Sequence, residues 1–143
     1  MVIDESILVD APLARVWELF TDLSGWREWN TVVRNISPPD AAVREGGRFR
    51  CSISPFVLPI FFDIVIEEVA PKERIAWTAS QFGVYAWHEF IFREVREGVL
   101  VGSKECLQGP TVTLMGIGFP DWKLRELTRS LLIDLKKAAE KGQ

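Results

Sequence analysis

A long amphipathic helix with no second helix of similar length must bury its apolar stripe against something else. The C-terminal part of this chain is such a helix. Leu124, Leu127, Leu131, Leu135 and Ala138 recur at steps of three and four and so share one face. Arg125, Glu126, Arg129, Lys136, Lys137 and Glu140 fall mostly elsewhere on the wheel. Pro120 suits a first helical turn and Asp121 favours the N-terminus, while Lys136, Lys137 and Lys141 favour the C-terminus and Gly142 stops the helix. Some 20 residues of helix span roughly 30 Å. Nearly everything before it reads as β-strand, so the stripe is expected to lie on a sheet.

The rest of the chain supplies that sheet. Val2 to Val9 alternates, with Ile3, Glu5, Ile7 and Val9 on one face. Asp10, as N-cap, and Pro12 then start a short helix through about Thr21, with Leu13, Val16, Trp17 and Phe20 on its apolar face. Trp26 and Trp29, three apart within Asp22 to Asn30, suit one further turn of helix. From Thr31 the period changes to two. Strands are expected at Val32 to Ile36, at Phe49 to Ile53, at Phe62 to Glu67, at Ile75 to Ala79, at Val84 to Glu94 and at Val99 to Gln108. Phe49, Cys51 and Ile53 give a dry face, and Arg48, Arg50 and Ser52 a wet one. Short turns between strands make the sheet antiparallel, and a sheet covered by one long helix makes the class α+β. Gly109 to Phe119 reads either as an N-terminal extension of the helix or as an irregular flap, since two threonines, a valine and glycines are poor helix formers.

The 143 residues suffice for one domain spanning 1–143. A net charge of −3 with scattered Lys and Arg argues against nucleic acid as a partner. No run approaches a transmembrane helix, and Asp4 and Glu5 stand where a signal peptide would be basic and then apolar. The expected location is cytoplasmic. The two cysteines, Cys51 and Cys106, sit in separate strands and read as small buried hydrophobes. A single histidine makes a multi-histidine metal site impossible within one chain, and no phosphate-binding glycine loop, zinc spacing or Ser/His/Asp arrangement is visible. No metal or cofactor is expected. Six Trp and nine Phe are many for this length, and aromatics line ligand pockets as well as cores.

Ala11-Pro12-x-x-x-Val16-Trp17-x-x-x-x-Asp22-x-x-x-Trp26-x-x-Trp29-Asn30 resembles the N-terminal signature of the SRPBCC (START-like) superfamily, most closely its polyketide cyclase/dehydrase-type branch. Pro71-x-x-Arg74-Ile75-x-Trp77, His88-x-Phe90, Glu105-x-Leu107-x-Gly109 and Leu135-Lys136-x-Ala138-Ala139-Glu140 extend the resemblance over nearly the whole chain. It implies a helix-grip fold: a curved seven-stranded antiparallel sheet around the C-terminal helix, with two short helices between the first and second strands and a cavity between sheet and helix. It is specific for fold and poor for function, because similar folds carry different activities.

An apolar pocket of roughly 300–1,000 Å³ is therefore expected. Its expected lining is Phe49, Cys51, Ile53, Ile64, Trp77, Phe90, Val101, Met115, Phe119 and Trp122, with Trp26 and Trp29 near one end. The informative residues are polar ones on the dry face. His88 shares strand parity with Phe90, and Ser103 and Glu105 share it with Val101. A four-residue connection Val95-Arg96-Glu97-Gly98 pairs Glu94 with Val99 and sets His88 opposite Glu105, Cβ atoms about 4.5–5.5 Å apart. A two-residue loop would shift the pairing by two and keep all three on the same face. A buried carboxylate is costly unless paired, and a protonated His88 would offset that. His88 and Glu105 are thus candidates for an acid/base or ligand-orienting pair, or for a structural one.

Phe56-Val57-Leu58-Pro59-Ile60-Phe61-Phe62 places seven apolar residues where a hairpin tip should be polar. Such a tip covers a cavity mouth, forms a homodimer contact or touches a membrane surface, and the lack of flanking Lys or Arg counts against the last. Three functions fit. The favoured one is binding of a small, largely hydrophobic molecule: a lipid, an isoprenoid or an aromatic polyketide-like compound. The others are a cyclase or dehydratase using His88 and Glu105 as acid and base, and a protein-interaction module of the chaperone-activator type.

Overall fold

The computed structural model describes residues 1–81, 83–108 and 121–141. The chain opens with β1 (Val2–Val9), followed by α1 (Leu13–Thr21), a 3-10 turn (Leu23–Gly25) and α2 (Trp26–Trp29). Then come β2 (Arg34–Ser37), β3 (Arg48–Ile53), β4 (Ile60–Ala70), β5 (Arg74–Gln81), β6 (Val84–Val95) and β7 (Gly98–Gln108). The last described element is α3 (Asp121–Glu140). The expectation for Gly109 to Phe119, and those for Met115, Phe119 and Pro120, fall outside the described residues.

The seven strands form one antiparallel sheet in the order β1-β7-β6-β5-β4-β3-β2. A register shift between Ile66 and Glu68 bulges β4, which bends its strand. The inward-facing residues of this curved sheet, among them Ile66, Ile75, Phe90 and Val101, are buried with Leu131, Leu132, Leu135 and Ala139 of α3. The helix stripe thus ends on Ala139 rather than Ala138, which is only partly buried.

α3 is fixed at several points along its length. Arg125 and Arg129 both reach the Glu5 carboxylate of β1, at 3.3 and 3.1 Å. Lys136 donates to the Leu8 carbonyl at 2.9 Å. Arg15 of α1 donates to the carbonyls of Ala138 and Ala139, at 3.0 and 2.8 Å, so it occupies the end of α3 where the last carbonyls lack helical partners. Asp134 accepts from both the backbone and the hydroxyl of Thr31 at 2.8 Å.

The short helices close one end of the sheet. Phe20 and Trp26 are buried there, the Trp26 indole donating to the Phe20 carbonyl at 2.9 Å. Three local expectations need correction. Pro12, with extended φ and ψ of −65° and 145°, is the N-cap of α1 instead of Asp10. Its carbonyl accepts from Arg15 and Val16, while the Asp10 amide donates to Glu140. The second strand begins at Arg34, not Val32, because Asn30 Oδ1 accepts from the amides of Val32 and Val33 and holds them in a turn. Ser52, expected on a wet face, is buried under β2, where Asn35 donates to its hydroxyl at 2.9 Å. No described helix is long and apolar enough to cross a membrane.

Candidate ligand cavity

The β6–β7 ladder sets the polar geometry. Its loop is the two residues Arg96 and Glu97, closed by the pair Val95–Gly98. The register is nevertheless Glu94 opposite Val99, because the closing pair is part of the ladder. It brings Phe90 opposite Ser103 and His88 opposite Glu105.

A cavity of about 130 Å³ opens between the sheet and α3. Sheet residues Cys51, Ile53, Phe62, Ile64, Trp77 and Phe90 wall one side, and Leu124, Leu127, Thr128 and Leu131 of α3 the other. The volume is well below the range expected from the sequence. Side chains of α3 and of the sheet interlock further than alternation alone reveals, and Phe49 and Val101 go to the core instead of the wall. Trp26 and Trp29 meet at a tilt of 58° with ring centroids 5.3 Å apart but do not line the cavity. Trp122 points outward, 58% exposed.

Several wall residues carry no signal that singles them out in the sequence. Ala79 and Ala86 make room simply by being small, and Val32 and Val33 reach the wall because Asn30 holds their turn. Thr128 spends its hydroxyl on the Leu124 carbonyl at 3.0 Å. Among the described lining residues this leaves Gln81, His88 and Glu105 as the polar side chains available to a ligand.

His88 Nδ1 stands 3.1 Å from Glu105 Oε2, and its Nε2 stands 2.7 Å from Ser103 Oγ. The ring lies on Phe90 with centroids 4.1 Å apart and meets the edge of Trp77 at 5.7 Å. The side chains are 13% and 19% exposed for His88 and Glu105, and both line the cavity, so that exposure includes its apolar wall. Burial therefore dominates both titrations. It pushes His88 down to about 3 and Glu105 up to about 7. The protonated His88 expected from the sequence is replaced by a neutral imidazole beside a carboxyl that holds its own proton below neutral pH.

Both states of that carboxyl satisfy the chain of polar atoms. With Glu105 protonated, its O–H donates to Nδ1 and the Nε2–H donates to Ser103. With Glu105 ionised, the Nδ1–H donates to the carboxylate and the Ser103 hydroxyl donates to Nε2. One proton lost at the cavity wall reverses each hydrogen bond without displacing a heavy atom.

Ser103, His88 and Glu105 share the connectivity of a hydrolytic triad, which the sequence alone does not reveal. Its orientation toward the cavity is the reverse of what acyl transfer needs. Ser103 is 2% exposed and does not line the cavity, whereas the carboxyl does. A substrate in the cavity meets Glu105 and the imidazole, not the hydroxyl. Cys51, also on the wall, has its thiol pushed up to about 12 by burial and by Asp63, so it is not a thiolate nucleophile either.

At the end of the β3–β4 hairpin, Phe56, Val57 and Leu58 stand in solvent, Val57 being 86% exposed. The ammonium of Lys123 lies 5.9 Å from the Phe56 ring. Ile53 and Ile60, at the strand ends that lead into this tip, line the cavity.

Comparison with solved structures returns the same architecture. The protein jhp0584 of Helicobacter pylori superposes with a TM-score of 0.81 at 15% identity, over 98% of this chain and 88% of that one. TTHA0849 of Thermus thermophilus gives 0.80 at 18% identity, over 97% of each chain. DynU16, from the dynemicin biosynthetic locus, gives 0.73 at 19% identity over 99% of this chain, which spans 48% of that protein. No match emerges among curated protein sequences. The profile of the family described as polyketide cyclase / dehydrase and lipid transport matches residues 1–129. With its sheet wrapped on a C-terminal helix, the chain belongs to that SRPBCC-type, helix-grip family.

Proposed function

We propose that this protein binds a small, largely hydrophobic molecule in the cavity between sheet and α3. The observation that carries the reading is the wall itself. It is apolar on both sides, with one hydrogen-bonded polar pair set into it. Apolar area removed from water supplies the affinity, and the pair orients the ligand. Of the three ligand classes the sequence suggests, an aromatic compound suits the volume best, since an apolar cavity of about 150 Å³ holds one benzene ring. A long acyl or isoprenoid chain would require the cavity to widen.

Native mass spectrometry of the purified protein tests this. The expected result is a non-covalent adduct of a small organic molecule, lost when Ala86→Phe fills the cavity. An adduct that survives that substitution, or a failure of every small aromatic compound to bind the wild-type protein, contradicts it.

A second reading rests on Glu105. A carboxyl on the cavity wall that titrates near neutral pH suits general acid/base catalysis in a cyclisation or dehydration. Under that reading Glu105→Gln binds the ligand and no longer converts it, and the ligand released from the variant differs chemically from that released by the wild type.

A further inference from the structure

The cavity sets two constraints at once. Its volume of about 130 Å³ is close to that of the apolar cavities of about 150 Å³ that take one aromatic ring. Among the described lining residues its polar side chains are Glu105, Gln81 and His88, and both nitrogens of the His88 ring are already engaged, by Glu105 and by Ser103. Glu105 sits at one end of a hydrogen-bonded chain whose other end is the hydroxyl of Ser103.

That far end is instructive. Ser103 serves the imidazole as donor in one protonation state and as acceptor in the other, which a hydroxyl can do by rotating. On the cavity side Glu105 needs a donor in both states, because its single acid O–H is already given to His88 Nδ1 and its other oxygen only accepts. A ligand carbonyl or ether has no donor to offer and leaves that oxygen unpaired in either state. A ligand carboxylate repels the ionised form and brings a second charge into an apolar wall. A ligand hydroxyl donates to that oxygen whether the acid or the anion faces it.

From this geometry we infer that the ligand is an uncharged, single-ring aromatic alcohol of the phenol class, its ring between Trp77, Phe90 and the α3 leucines and its hydroxyl on Glu105. This inference rests on the ligand-binding reading above and narrows it. The ring replaces water against the apolar wall. The hydroxyl adds a fourth group to the chain of Ser103, His88 and Glu105, donating to the carboxyl oxygen that His88 leaves free.

Calorimetric titration of the wild-type protein with four molecules of similar size tests it: phenol, benzene, anisole and benzoate. Phenol is expected to bind about tenfold more tightly than benzene, which corresponds to one net hydrogen bond. Anisole, an acceptor only, should show no such gain, and benzoate should not bind detectably. Glu105→Leu should bring phenol and benzene to equal affinity. Should that variant fail to fold, the wild-type series alone decides. Equal binding of phenol and benzene, or tight binding of anisole or benzoate, overturns the hydroxyl assignment while leaving a ligand cavity in place. No binding by any of the four overturns both this inference and the cavity reading beneath it.

Discussion

Glu105 and His88 face each other across the β6–β7 ladder and share a single proton over much of the acidic range. In the folded protein burial holds Glu105 near 7 and His88 near 3, whereas in the unfolded chain they titrate near 4.5 and 6.5. Between pH 4.5 and 6.5 the unfolded pair carries one proton, on the histidine, and the folded pair carries one, on the carboxyl. Equal proton counts mean that the pair adds no pH dependence to stability in that window.

Glu105→Gln breaks the balance. The histidine alone then remains, its folded pKa depressed, so the unfolded chain takes up a proton below 6.5 that the folded protein refuses down to about 3. Stability of the variant relative to wild type should fall by about 1.4 kcal/mol for each pH unit between 6.5 and 4.5, measured by urea unfolding. Parallel pH profiles for the two proteins would show that His88 and Glu105 do not titrate in opposite senses.

Arg15 ties α1 to the C-terminal end of α3 through the carbonyls of Ala138, Ala139 and Lys141. Arg15→Ala leaves those carbonyls without their cation and should cost about 2 kcal/mol in urea unfolding. Arg15→Lys should recover part of that, since an ammonium keeps the charge but not the planar fork of donors.

Gly98 begins β7 with φ of +142°, and a Cβ there would stand 2.1 Å from the Val9 carbonyl oxygen at the end of β1. That oxygen and the other atoms such a Cβ would meet, in Val9 and Asp10, are backbone and cannot swing aside. Gly98→Ala should therefore destabilise by about 3 kcal/mol or more, measured as a lowered urea midpoint.

Leu131 belongs to both the core and the cavity wall. Truncation to alanine should cost about 2–5 kcal/mol and enlarge the cavity toward two-ring size. Naphthalene should then raise the urea midpoint of Leu131→Ala and leave that of the wild type unchanged.

Period and parity made most of the fold legible. The 3.6-residue recurrence of Leu124, Leu127, Leu131 and Leu135 announced the helix, and alternation through His88, Phe90 and Phe92 fixed one face of β6. The turn at Glu97-Gly98 left two registers open, and the His88–Glu105 pairing expected for a four-residue connection is the one present although the loop has two residues. Depth could not be read from the residues. Parity says that Ser103 points inward but not that it lies beneath the imidazole, with Glu105 nearer the cavity. Nor does it say how closely α3 seats on the sheet. That closeness fixes the cavity volume and sends Phe49 and Val101 to the core. Trp122 misled because an aromatic near the start of an amphipathic helix looks like a wall residue, whereas its position on the wheel faces solvent.

Ligand binding requires the space between sheet and α3 to be a dry cavity. Methyl NMR of the wild-type protein titrated with phenol tests that directly. Saturable shifts should appear at Ile53, Ile64, Leu124, Leu127 and Leu131, which line the cavity, with none at the exposed Ile133. Shifts confined to Val57 and Leu58 on the hairpin tip, or none at all, would contradict it.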